Sequence, residues 1–285
     1  GYVENKRLEN EGEMTPAAVT DVPVPEYASV KRDGKICLAW NLITTMTANG
    51  QTGELLANTQ GVNVISPTWF MLSDVEGNFV SLADAAYVQE MHGRGIEVWA
   101  MISDFSHINY EDNLSKEEIK EVLSITSRRN NLITQLIDTV RSYEIDGINV
   151  DFEYISQEAS AAYIQFLREL SIECRKNGIV LSVDNGFSVN YDRAKQAEVV
   201  DYVIIMGYDE FVSAEDGGPC PCASIDFVKR GIEKTLAVVP KEKIINAIPF
   251  YTRLWTVTGD IGNRAYGMQE IENILVENNV QTEWD

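Results

Sequence analysis

The stretch Asp146-Gly147-Ile148-Asn149-Val150-Asp151-Phe152-Glu153 alternates apolar and polar side chains from Ile148 onward. A strand sends successive side chains to opposite faces. Asn149, Asp151 and Glu153 therefore share one face, and Ile148, Val150 and Phe152 share the other. Two carboxylates held side by side on a buried strand are costly unless chemistry uses them. An edge strand with one face in water would alternate in the same way, but the flanks oppose it. Leu132, Ile133, Leu136, Ile137 and Val140 recur at helical spacing before the stretch, as do Ile164, Leu167, Leu170 and Cys174 after it. A strand between two amphipathic helices is the repeat of a parallel α/β fold.

Working outward, strand-like runs precede the stretch at Lys35–Trp40, Val62–Ser66 and Glu97–Ile102. Others follow at Ile179–Val183, Tyr202–Met206 and Ile244–Ile248, making seven βα units. Gly93 and Gly95 stop one helix, Ser115 with Glu118 forms a capping box, and Ser224 caps another helix. Polar and aromatic residues gather at the C-terminal ends of the strands: Asp184-Asn185, Tyr208-Asp209-Glu210 and Pro249-Phe250-Tyr251. That end of a (β/α)8 barrel holds the active site. A doubly wound open sheet is the competing architecture, but no Gly-rich phosphate loop follows the first strand. The expected fold is an α/β (β/α)8 TIM barrel over residues 34–285, stopping before an eighth strand. Residues 276–285 read as a helix end and a loop, and Trp284 lies in no strand-like run. Residues 1–33 are polar, carry Val22-Pro23-Val24-Pro25, and read as an N-terminal linker.

The 285-residue chain is 45% hydrophobic, enough for one large core. Its formal charge of −21 opposes nucleic acid and anionic lipid and leaves a neutral polymer unopposed; it equally serves solubility. No run of about 18 apolar residues spans a membrane. Four cysteines are too few for a disulfide scaffold. Cys37 and Cys174 read as buried hydrophobes, and Cys220 and Cys222 as loop thiols without a role. Only His92 and His107 are present, which nearly excludes a histidine triad. The chain begins at Gly1, so a secretion signal would lie upstream.

Asp-Gly-x-x-x-Asp-x-Glu at 146–153 resembles the fourth-strand signature of glycoside hydrolase family 18, the chitinase-like (β/α)8 barrels. Met206-Gly207-Tyr208-Asp209-Glu210 and Ile248-Pro249-Phe250-Tyr251-Thr252-Arg253-Leu254-Trp255 agree with it. From about Lys35 to the end, the chain resembles the branch holding spore-germination, cortex-lytic N-acetylglucosaminidases. The resemblance implies substrate-assisted, retaining cleavage of β-linked N-acetylglucosamine polymers, either peptidoglycan and spore cortex or chitin-like. By residue match Glu153 is the general acid/base, Asp151 holds the acetamido N–H, Tyr208 binds the acetamido carbonyl, and Asp209 lines the pocket. Asn149 stands where many chitinases have Asp, so a proton relay from that position is absent; the germination-type branch commonly carries Asn there. In the family the eighth strand usually supplies a tryptophan beneath the reacting sugar, a role not assigned to Trp284. The expected site is extracellular or at the wall or spore, with a glycan polymer as partner and no cofactor or metal. Relatives in that branch often carry small wall-binding modules upstream, and the resemblance implies one here.

The residues themselves support part of this. Glycoside hydrolysis needs a proton donor and a stabiliser of anomeric charge. Carboxylates two apart on a strand have backbones roughly 6–7 Å apart and lie on one side of a substrate, which suits an acid with an orienting partner. Trp40, Trp69, Phe250, Tyr251 and Trp255 close or follow strands and are candidates for stacking on sugar rings, equally consistent with core packing. Glu210 and Arg253 are candidate polar contacts. Two other classes compete: a carbohydrate-binding barrel of weak catalysis, opposed by the presence of Glu153, and a metal enzyme using Asp146, Asp151 and Glu153. The latter is disfavoured because Asp146 would face away from the other two.

Overall fold

The computed structural model describes residues 29–213 and 215–283; most of the expected linker, and Trp284, lie outside the described residues. The strands are β1 (Leu38–Asn41), β2 (Val64–Pro67), β3 (Phe70–Leu72), β4 (Phe79–Ser81), β5 (Glu97–Ser103) and β6 (Gly147–Asp151). They continue with β7 (Val180–Asn185), β8 (Tyr202–Met206), β9 (Ile244–Ala247), β10 (Tyr251–Thr256) and β11 (Gly262–Gly267). Seven of them form one parallel sheet in the order β1-β2-β5-β6-β7-β8-β9. These are the seven expected strands. Among the described residues β9 and β1 do not pair, so the barrel is open between them.

Alternation in β6 sorts its side chains as expected. Ile148 and Val150 enter the layer between sheet and helices, where they meet residues from helices Thr126–Ser142 and Ser160–Asn177. Phe152 continues that face, stacked on Phe166 at 5.6 Å and near Tyr163 at 5.9 Å. Burying each such Phe, Ile or Val contributes about 1.5–3 kcal/mol. Helix Ser160–Asn177 presents Tyr163, Phe166, Leu167, Leu170 and Cys174 to the sheet and ends at Gly178, whose φ of 68° suits a residue without Cβ. Helix Lys116–Ser124 begins with the expected Ser115–Glu118 capping box.

Inside the sheet the floor is Val64, Trp99, Val180 and Tyr202, with Trp99 and Tyr202 stacked at 5.5 Å. A Cβ on Gly147 would lie 2.7 Å from the Trp99 ring, so glycine is what lets this indole cross the floor. Polar residues stand above it.

Two hairpins depart from the simple repeat. After β2, Thr68 Oγ1 accepts from the Ile43 amide at 2.9 Å, and the chain turns into the antiparallel pair β3–β4. After β9 the chain leaves the sheet at Ala247 and forms the antiparallel pair β10–β11, a separate ribbon. Its turn holds Gly259 at φ 82°. All four cysteines are free thiols. Cys174 is buried as expected, but Cys37 is exposed because it precedes β1 at the sheet edge rather than lying within the strand.

Candidate active site

β6 ends at Asp151, and the next residues leave the sheet carrying Glu153. Side chains from the neighbouring loops tie this segment down. Asp104, just past β5, accepts from the amides of Glu153 at 2.8 Å and Tyr154 at 2.9 Å. Tyr191 Oη donates to the Phe152 carbonyl at 2.7 Å, and Asn190 Nδ2 donates to the Ile155 carbonyl at 2.8 Å. The segment carrying Glu153 is thus clamped on both sides.

Carboxylates converge at this end of the sheet. Asp151 is buried, and its pKa is raised well above the ordinary value by burial and by the charges of Asp184, Glu153 and Asp104. Burial pushes Asp184 up to about 8, with Glu153 adding to it, while Asn149 and the Trp40 indole act in the opposite sense. Asp104 is raised to about 7 by burial, which outweighs the two amide bonds it accepts. Glu153 is exposed at the mouth, yet the protein crowding its carboxyl and the charge of Asp209 raise its pKa. Raised carboxyl pKa values favour an acid that keeps its proton near neutrality.

Aromatic and basic groups close the opposite wall. Tyr208 sits past β8 with Trp40 on one side at 6.1 Å and Tyr251 on the other at 6.2 Å, both edge-on. Burial and the charges of Asp184 and Asp151 push its phenol up, so it stays a hydrogen-bond donor. Asp209 adopts φ 56° and accepts from Arg253 at 2.7 and 3.2 Å. Arg253 is held in turn by Asn263 across the ribbon, at 2.9 Å. The β10–β11 ribbon is therefore what brings Tyr251 and Arg253 to the end of β8.

The fourth parallel strand thus ends in a buried aspartate followed by a glutamate, with a tyrosine from the end of the sixth strand among the groups acting on them. The glycosyl hydrolases family 18 profile matches residues 108–285. The chain belongs to glycoside hydrolase family 18. It is similar to the Bacillus subtilis sporulation glycosylase YdhD, 30% identical over 184 residues, covering 62% of this chain and 42% of that one. It is also similar to the cortical fragment-lytic enzyme of the same organism, 27% identical over 62% of this chain and 44% of the relative. The chain thus spans less than half the length of either. In fold it matches the crystal structure of a chitinase from Chromobacterium violaceum, with TM-score 0.74, 20% identity, and coverage of 88% of this chain and 79% of that one.

Within this family 18 barrel the expected site residues divide. Asp151, Glu153, Tyr208, Asp209, Trp40, Tyr251 and Arg253 are linked at one end of the sheet by the contacts and charge interactions above. Three others lie elsewhere. Trp69 is fully buried in the helix layer, stacked edge-on with Tyr87 at 4.9 Å and bonded through its indole to Asn49 at 2.8 Å. It is a core residue, turned there by the break between β2 and β3. Glu210 accepts from the Ser224 amide at 2.9 Å and faces Arg230, so it anchors the start of helix Ile225–Leu236. Asn149 is completely buried beneath the carboxylates and cannot touch a substrate. Asp146 accepts from the Val98 amide and pairs with His92, both at 2.8 Å, far from any set with Asp151 and Glu153.

Sequence reasoning gave no role to Asp104, Asp184, Asn190 or Tyr191. Asp104 and Asp184 carry a readable signal, a carboxylate at the C-terminal end of a parallel strand. Nothing local marks Tyr191 or Asn190. A mostly apolar pocket of about 820 Å³ lies between helix Ile225–Leu236 and the ribbon, lined by Ile225, Val228, Ile232, Ile248 and Met268; it reaches Tyr251 of the site but not Asp151, Glu153 or Asp184.

Proposed function

We propose that this family 18 chain is a retaining glycosidase that cleaves β-linked N-acetylglucosamine polymers, of the peptidoglycan, spore-cortex or chitin type, using the sugar's own acetamido group as nucleophile. The observation that carries the reading is the placement of Glu153 and Asp151 at one strand end, facing Tyr208. Glu153, its pKa raised by burial and Asp209, gives its proton to the leaving oxygen. Asp151 accepts the acetamido N–H and turns the carbonyl oxygen toward the anomeric carbon, with the Tyr208 hydroxyl donating to that oxygen. Asp209, fixed by Arg253, lines the same wall, and Trp40 and Tyr251 offer ring faces to the sugar.

Asp151 lies on the same side as Glu153, so a covalent glycosyl-enzyme has no obvious partner on the opposite face. A well-oriented neighbouring group supplies effective molarities of about 10⁵ M or more and replaces it. The naming of relatives for sporulation and cortical fragments supports a wall or spore substrate and action outside the cytoplasm.

The test is product analysis by mass spectrometry on chitin oligomers and purified cortex peptidoglycan, each with N-acetylated and deacetylated sugars. Cleavage confined to N-acetylated glycone sugars, lost mainly in kcat on deacetylation, is the expected result. Comparable kcat on glucosamine polymers, or an ester trapped on any enzyme carboxylate, would overturn the mechanism. Binding of these glycans without cleavage by the wild type would leave a carbohydrate-binding barrel instead.

A further inference from the structure

Asp151 and Asp184 end adjacent parallel strands. The register pairs Asn149 with Ser182 and Val150 with Val183, so the next step sets Asp151 beside Asp184. Both follow the inward-facing Asn149 and Ser182 by two positions and point the same way. Neighbouring strands are about 4.8 Å apart, which leaves the carboxylates within reach of one another.

Their surroundings are fully specified beneath and open between. Ser182 Oγ donates to Asn149 Oδ1 at 2.7 Å, and Asn149 Nδ2 donates to Asp184 Oδ2 at 2.7 Å. That chain uses one Asp184 oxygen. The other, Oδ1, and Asp151 Oδ1 are both buried without a hydrogen bond of good geometry, and the Trp40 indole N–H, itself without such a bond, acts on Asp184 from β1. The groups acting on the pair are Glu153 past β6, Asp104 past β5, Tyr208 past β8, Trp40 of β1, and the phenols of Tyr163 and Tyr191. None is a cation, and the nearby Arg253 is engaged by Asp209. Two carboxylates side by side, 6% and 1% exposed, cannot both carry charge in such a place.

We propose that Asp151 and Asp184 hold a single proton between them, resting on Asp151 and directed at Asp184 Oδ1, and that Asp184 receives it when positive charge develops beside Asp151. The amide of Asn149 favours the resting arrangement, because it donates to Asp184 and so stabilises the ionised form there. The step moves one proton from the Asp151 hydroxyl to the Asp184 carboxylate. The pair carries one negative charge before and after. Asp151 becomes the anion at the moment an oxazolinium nitrogen would face it, which rests on the glycosidase reading given above. Asn149 cannot accept a proton, and the acceptor sits instead on the neighbouring strand. Asp184 is a positioning and proton-accepting residue one strand away from the signature.

Infrared difference spectroscopy tests the shared proton without any substrate. With one proton shared, each carboxyl depends on the other for the state of that proton. Asp184→Asn therefore removes both its acceptor and one of the charges that keep Asp151 protonated, and the protonated-carboxyl band should shift in frequency and titrate at lower pH; Asp151→Asn should do the same to the band of Asp184. If the band persists unchanged in Asp184→Asn, the two carboxyls titrate independently and the proposal fails. In turnover, Asp184→Asn is expected to lower kcat by about tenfold or more with KM little changed. Restoring a carboxylate on the other side of the contact, in Asn149→Asp/Asp184→Asn, should recover part of that loss. Wild-type kcat in a folded Asp184→Asn protein would overturn the catalytic part. If the wild type is inert on every N-acetylated glycan, the glycosidase reading fails, and the infrared result still decides whether the proton is shared.

Discussion

Asp104 offers a prediction whose size follows from the structure. It is fully buried, accepts the amides of Glu153 and Tyr154, and has its pKa raised from 3.8 to about 7. A carboxyl whose folded pKa is raised favours the native state fully at pH below its unfolded value. That contribution is lost as pH rises through the folded value, because the native state binds more protons across the interval. At about 1.36 kcal/mol per pH unit, the span from 3.8 to about 7 corresponds to about 4 kcal/mol. Asp104→Asn removes this dependence, since an amide does not titrate. It also turns an NH2 toward one of the two amides, which costs about 1.5–3 kcal/mol at any pH. The variant should therefore be less stable than wild type by about 2 kcal/mol near pH 4. Near pH 8 it should match or exceed wild type, the gap having moved by about 4 kcal/mol in its favour. Urea denaturation at both pH values measures this, and the comparison cancels most of the contribution of the other carboxylates. A gap that stays constant between pH 4 and 8 would refute the reasoning. The same variant unmoors Glu153, so hydrogen exchange at the amides of 153 and 154 should accelerate, and kcat should fall by about 10²-fold if the acid moves by about 1 Å.

Other expectations follow from single contacts. Glu153→Gln keeps shape but has no proton to give, so kcat should drop by about 10²–10⁴-fold with glycan binding retained; more than about a tenth of wild-type rate would remove Glu153 from its role. Arg253→Met strips Asp209 of its partner and lets its full charge act on Glu153. That should raise the Glu153 pKa further and shift the alkaline limb of the kcat profile to higher pH, and an unmoved or lowered limb would disconnect the ribbon from the acid. Gly147→Ala drives a methyl to 2.7 Å from the Trp99 ring. It should destabilise by about 1–3 kcal/mol, seen as a lowered Tm, and a neutral result would mean that the floor repacks freely.

The course of the sheet was legible in the sequence because each parallel strand lies between helical repeats, and burial on one face imposes period two locally. The same local rule set Glu153 and Asp151 apart, since two carboxylates on one inward face are expensive enough to be noticed. What escaped was whatever depends on neighbours distant in the chain. Trp69 reads as a rim aromatic until the turn after β2 sends it into the helix layer. Tyr251 and Arg253 can be picked out in the sequence as candidates, but it is the pairing of β10 with β11, folded back over the end of β8, that carries them to the site. Asp104, Asn190 and Tyr191 act on a segment 35–49 residues away, through bonds to backbone that carry no side-chain signature. In the sequence Asn149 reads as the loss of a titrating group, and Asp184 only as one of the polar residues at the strands' C-terminal ends. Only the register of β6 against β7 sets that carboxylate beside Asp151. Hydrophobic period is written along the chain and can be read there. Which charges share a proton depends on distances between strands, and those exist only once the sheet has formed.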